Sequence, residues 1–376
     1  MAGAAATAVR RVGVPLTAAV LALGACSDDD GGRAASPPPL PSTSSPAGPP
    51  SDAVLPTVTA SGDVTTELEV PWGLAFLADG SALVSERMTW RILRVRPDGV
   101  RHPLGTVPGV VAEGEGGLLG LAVPPGGGTE VYAYLTTDRD NRVVRIPLTD
   151  AGLGPPTPVL TGIPKGRIHN GGRIVFGPDG NLWVGTGETG SRDLAQDTES
   201  LAGKILRVRP DGTVPPDNPF PGSPVWSYGH RNVQGLAFDS AGRLWASEFG
   251  ASAFDELNLV ERGRNYGWPV VEGVGGEAGF VDPQVTWPTA DASPSGLVIV
   301  DDVAYLAALR GQRLWQVPLV DGRARTPKAW LDGRFGRLRT LAPAPDGSLW
   351  LATSNRDGRG TPRAGDDRIV RLELSG

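Results

Sequence analysis

Only three histidines occur in this 376-residue chain, and their surroundings differ. His169 lies in the run KGRIHNGGRIVFGPDGNLWVGTGE, followed by Asn170 and by Gly171 and Gly172, which let backbone approach a ligand closely. An imidazole so placed can take a proton near neutral pH. His230, in YGHRNVQGLAF, reads as a hydrogen-bonding residue inside its own loop, and His102, after the Asp98-Gly99 turn, reads as exposed. Arg231 and Asn232 follow His230, Arg310 ends an apolar run, and Arg337 and Arg339 precede another. If these loops share a face, one histidine and four arginines meet in a chain of formal net charge −6. Such a cluster suits an anion with several negative charges.

Other chemistries find less support. Cys26 is the only cysteine, and as a lipid attachment point it leaves the remaining chain without a thiol for disulfides, metal ligation or catalysis. There is no CxxCH, P-loop, HExxH or GxSxG pattern. The run Gly185 to Gly190, GTGETG, has dinucleotide spacing, but a polar stretch follows where a helix should start. The carboxylates and small residues of EFGASAFDELN, from Glu248, could wrap a hard cation, which fits calcium better than zinc.

The elements that must position these groups are strands. Arg10 and Arg11 precede an apolar run, Val12 to Leu23, that ends in LGAC, so residues 1–25 read as a lipoprotein signal peptide. Residues 26–55 are acid, Pro, Ser and Gly, the composition of a disordered tether. Loss of the signal leaves 33 basic against 41 acidic residues, a net charge of −8 that argues against nucleic acid as a partner. Over residues 56–376 a unit of two strands and a charged third strand recurs in six copies, the first strand pairs being WGLAFLADGSALVSE, LLGLAVPPGGGTEVYAYL, RIVFGPDGNLWVGTG, GLAFDSAGRLWASEFG, GLVIVDDVAYLAALRG and TLAPAPDGSLWLATSN. This self-similarity predicts an all-β, six-bladed β-propeller of four-stranded antiparallel blades. A strand between Pro56 and Glu69 is expected to pair into the last blade and close the ring.

The domain resembles the soluble, pyrroloquinoline-quinone (PQQ)-dependent aldose sugar dehydrogenases, the glucose/sorbosone dehydrogenase group, from about Val70 to Leu374. The resemblance rests on PWGLAF, GEGGLLGLA, HNGGRIVFGPDGNLWVGTGE, GHRNVQGLAF, SEFGASAFDELNLVERGRNYGWP, ALRG and GRLR. It implies oxidation of the sugar C1 hydroxyl to a lactone, with hydride passing to PQQ, calcium as second cofactor and an external electron acceptor. By the same resemblance His169 is the base and Arg231 polarises the quinone C5 carbonyl, with Asn232 beside it. Arg310, Arg337 and Arg339 meet the cofactor carboxylates, and Glu115 stands in the cofactor site where the glucose dehydrogenase type has Gln. The carbonyls of Gly250 and Ala251 hold the cofactor-bridging calcium, and Glu256 and Tyr266 fall on a second calcium position. Ile168 replaces an acid before the histidine, leaving the base without that orienting partner, and Gly276 replaces a calcium-binding Asp. The implied protein is an exported lipoprotein, facing the periplasm or cell surface and reaching the membrane only through its lipid anchor. A calcium-dependent lactonase and a non-catalytic, surface-tethered binding propeller are the alternatives.

Overall fold

The computed structural model describes residues 55–149 and 151–376. The signal peptide, Cys26 and almost all of the tether read from the sequence lie outside the described residues.

The six copies become six antiparallel sheets arranged as a propeller. Each begins with an inner strand: Pro71–Phe76, Leu118–Ala122, Arg173–Phe176, Val233–Phe238, Pro294–Val300 and Leu338–Pro343. These strands pack on one another in chain order, and the sixth returns to the first, enclosing a central channel. The turn after the inner strand is written into the sequence. Asp79, Asp179 and Asp346 each accept the N–H of the residue two positions on, and Gly80, Gly180 and Gly347 between them take positive φ values of 82°, 73° and 86°. Second and third strands follow by hairpin pairing, as Leu182–Gly185 and Lys204–Val208 do in the third blade.

Apolar residues alternate into the spaces between blades, so the core is a ring of inter-blade layers. Trp72, Trp245 and Trp350 are almost completely buried there. The closing strand is Thr57–Thr65, which pairs antiparallel with Ile369–Ser375 and completes the sixth blade. The outer strand of the first blade, Arg101–Thr106, is mostly exposed and lacks a clear apolar alternation. The single helical element among the described residues is a short 3-10 turn, Arg192–Ala195.

This topology has one consequence for chemistry. Segments leading into inner strands and segments leaving second strands meet at the same end of the channel. Glu115, His169, Arg231 and Arg337 belong to the first kind, and Arg87, Glu188, Gly250, Arg310, Asp357 and Arg359 to the second.

Candidate active site

The third-blade hairpin pairs Arg173 with Gly185. Four residues before the first lies His169 and three after the second lies Glu188, so antiparallel register lays the two side by side. The His169 Nδ1 hydrogen-bonds Glu188 Oε1. That contact corrects the expectation drawn from Ile168, whose side chain is exposed: His169 has an orienting acid, supplied by the GTGE run. Burial pushes the Glu188 carboxyl up, but the His169 hydrogen bond and charge outweigh it and hold it below its ordinary value.

The backbone at His169 is in the left-handed region, φ 53°, a conformation that costs a non-glycine residue roughly 1–3 kcal/mol. Several bonds impose it. The His169 N–H donates to Glu115 Oε2 at 2.8 Å, and its carbonyl accepts from Thr189 N–H at 3.1 Å. The next turn is fixed by Gly171 N–H donating to Asn232 Oδ1 at 3.0 Å. Gly187 must be glycine, because a Cβ there would stand 2.0 Å from the His169 carbonyl oxygen.

Glu115, the acceptor of the His169 N–H, ties this pair to a cavity of about 420 Å³ that neither His169 nor Glu188 lines; its lining holds Arg87, Arg310, Arg337, Arg339 and Arg359 but only two carboxylates, Glu115 and Asp357. Asp357 pairs with Arg337 at 2.9 Å and with Arg339 at 3.5 Å. Arg359 pairs with Glu115 at 2.7 Å. Three positive charges therefore stay unneutralised. Glu115, an acid where an anion is expected, is held ionised: burial raises its pKa, and the His169 N–H together with Arg359 brings it below the ordinary value. Its role in this geometry is to hold the histidine loop.

The cations are poorly satisfied. Arg87 Nε, Arg339 Nε, Arg231 Nε and Asn232 Nδ2 are buried without partners. Burial, with the neighbouring charges of Arg87 and Arg337, pushes Arg339 down to about 9, and burial lowers Arg87 and Arg231 as well, yet guanidinium groups stay cationic at neutral pH. Desolvated donors with too few acceptors are preorganised for a polyanion. The structure thus brings Arg310, Arg337, Arg339 and Glu115 together on one cavity. Arg231 approaches it through Phe249, a lining residue whose carbonyl accepts Arg231 Nη1 at 3.1 Å. Arg87, Arg359, Asp357 and Glu188 are additions that sequence reasoning did not find. A signal existed for Glu188 and Arg87, since both stand just beyond second strands, but only the register shows what they face.

The Gly250 loop has its own logic. Gly250 N–H donates to Asp255 Oδ1, and the N–H groups of Ala251, Ser252, Ala253 and Phe254 converge on Glu272 Oε1. In trans peptides the opposed carbonyls of Gly250 and Ala251 then point away from Glu272, an arrangement able to offer them to a cation. Glu256 accepts from Gly273 N–H at 2.8 Å and Asn258 Nδ2 at 3.1 Å. Burial and the neighbouring Glu248 push its carboxyl up. The Tyr266 hydroxyl donates to Leu259 O and accepts from Glu261 N–H. Both side chains are thus engaged internally, and a second calcium here would have to displace those partners or use main-chain carbonyls. Gly275 and Gly276 give their N–H groups to Asp282, each at 3.0 Å.

Residues 68–366 match the Glucose / Sorbosone dehydrogenase family. The chain belongs to that family. Among solved structures, the PQQ-bound aldose sugar dehydrogenase of Streptomyces coelicolor is 53% identical with a TM-score of 0.83, the match covering 85% of this chain and 98% of that one. The aldose sugar dehydrogenase YliI of Escherichia coli is 29% identical over 78% of this chain and 89% of its own length. Quinoprotein glucose dehydrogenase B of Acinetobacter calcoaceticus is 34% identical over 58% of this chain, and the match spans about half, 54%, of that relative.

Proposed function

We propose that this chain oxidises the C1 hydroxyl of aldose sugars to lactones, using PQQ and calcium held at the arginine-lined cavity and passing electrons to an external acceptor. The observation that carries the reading is the His169–Glu188 pair tied through Glu115 to a cavity with five arginines and two carboxylates. PQQ, with three carboxylates, fits that charge excess, and when bound it supplies a hydride acceptor made more electrophilic by the metal.

The protein's own groups then have definite tasks. Glu188, ionised, accepts from Nδ1–H of His169 and so leaves the Nε2 lone pair free to take the C1 hydroxyl proton. Arg231 spends Nη1 on the Phe249 carbonyl and keeps a buried Nε for an oxygen that gains negative charge, and Asn232 holds a spare Nδ2–H beside it. Arg310, Arg337 and Arg339 serve the cofactor carboxylates, and the geometry adds Arg87 to that set. The carbonyls of Gly250 and Ala251 would hold the bridging calcium. The same reading takes Cys26 as the lipid attachment point of an exported, membrane-tethered domain.

The test is reconstitution of purified protein with PQQ and Ca²⁺, followed by dye reduction with a panel of aldoses. Turnover that needs both additions is expected. Tight PQQ binding without turnover of any aldose would favour a binding propeller, and lactone hydrolysis without PQQ would favour a lactonase.

A further inference from the structure

The six inner strands carry one matching position, Gly73, Gly120, Arg173, Gly235, Gly296 and Thr340, whose glycines abut the next blade. Four are glycines because the blades touch there. A Cβ at Gly120 would meet the Gly172 carbonyl oxygen at 2.2 Å, and one at Gly296 the Thr340 Cα at 2.6 Å. Into this ring of small residues one blade sends an arginine. Arg173 Nε donates to the Gln234 carbonyl at 2.7 Å, Nη1 donates to Thr340 Oγ1 at 3.1 Å, and the guanidinium lies 4.5 Å from the Trp72 ring centroid. It therefore touches the first, fourth and sixth blades from its place in the third. The residue is only 7% exposed, and its Nη2 is buried with no partner.

Arg339 lies over the same Trp72 ring at 5.8 Å and lines the cofactor-sized cavity described above. Arg173 instead lines a second cavity of about 330 Å³ on the channel. The position after the small-residue ring supplies its wall: Leu74, Leu121, Ile174, Leu236, Leu297 and Leu341, one from each blade. Arg173 is the only charged residue among those lining this cavity. A cation with a spare N–H at an aliphatic funnel recognises one negative charge and excludes a hydroxylated body, since sugar hydroxyls would lose water without gaining partners.

We infer that this second cavity is a binding site for a monocarboxylate with an apolar body, its carboxylate on Arg173 Nη2 and its hydrocarbon part against the six aliphatic side chains. The site is distinct from the arginine-rich cavity and stands whether or not the sugar-oxidising reading holds.

The probe is 4-bromobenzoate, titrated calorimetrically into the protein with and without bound PQQ and soaked into crystals, where bromine marks the position. Saturable binding unaffected by PQQ is expected, with bromine density among Leu74, Leu236 and Leu297. The uncharged 4-bromobenzyl alcohol and the polyhydroxylated gluconate should each bind about tenfold more weakly or worse. Arg173→Gln should lose a similar factor. Because that variant can fail to fold, Leu236→Phe, which fills the funnel and leaves Arg173 and its partners in place, is the second arm and should weaken binding as much. The inference is overturned by no saturable binding, by displacement with PQQ, by equal affinity for the acid and its alcohol or for gluconate, or by indifference to Leu236→Phe.

Discussion

In the third blade His169 stands before the inner strand and meets Glu188 just beyond the second. In the fourth blade His230 stands before the inner strand and meets Glu248 at the end of the second, with Nδ1 to Oε2 at 2.8 Å. Two successive blades thus each hold a histidine–carboxylate pair between these segments, at registers that differ by one or two residues. What separates them is the other ring nitrogen. His230 Nε2 is taken by Ser227 Oγ at 2.8 Å, the residue has no exposure, and its ring stacks on Tyr266 at 4.6 Å. The His169 side chain keeps 13% exposure, and among the described residues its Nε2 has no hydrogen-bond partner. A basic nitrogen becomes a reagent only when its second face is left open, and a repeat architecture can hold one copy closed for stability while the other reacts.

Substitutions can break this contrast. The largest effect is expected for His169→Ala, which should lower kcat by about 10²–10⁴-fold while PQQ binding changes little; Glu188 keeps the Gly190 N–H, so the accompanying loss of stability should be smaller than for His230→Ala. Near-normal turnover would remove His169 from the base role. Glu188→Gln comes next, at roughly 10²-fold in kcat with an altered pH–rate profile, because the ring loses the anion that fixes its tautomer. A profile identical to wild type would show that Glu188 is merely structural. The two carboxylates that hold the histidine loop also set an acid limit. Glu188 and Glu115 are both held below their ordinary value of 4.5, so the stability they contribute is complete above that pH and is lost as pH falls through their lowered values.

His230→Ala should reverse the pattern. Glu248 and Ser227 lose a buried partner, so urea denaturation should report about 2–3 kcal/mol less stability, with a smaller fall in kcat than His169→Ala gives. The smallest shift is expected for Glu256→Gln. Burial and Glu248 raise the Glu256 pKa in the folded protein, so the wild type loses stability as pH rises from 4.5 through the raised value, whereas the amide does not ionise. In chelator at alkaline pH the variant should therefore melt a few degrees higher. Added Ca²⁺ should reverse that order if Glu256 is a ligand, and an unchanged difference would remove it from the calcium set.

The sequence made the repeat legible because Asp-Gly turns and apolar inner strands recur with local cues. It was also enough to read the closing strand. Outer strands were less legible, since residues such as Arg101 and His102 face solvent and carry no burial pattern. In the site, His169 and the arginines of GRLR announced themselves by composition. Glu188 did not, because it lies in a run that resembles a nucleotide loop, and its partner is defined by strand pairing rather than by neighbours in the chain. Asp357 and Arg359 stand in a loop whose Asn-Arg-Asp-Gly-Arg composition is that of any solvated turn, and only folding shows one acid clamping Arg337 and Arg339 while the arginine beyond it holds Glu115.

The pairing of Thr57 with Ser375 joins the two ends of the described fold. That contact sets an order of assembly. Five blades are made from contiguous stretches and can form as the chain lengthens, but the sixth must wait for its last strand while Thr57–Thr65 remains an unpaired edge. The final step is thus a single non-local closure, and a chain cut short before Ile369 would leave both Thr57–Thr65 and Leu349–Thr353 without the strand that joins them.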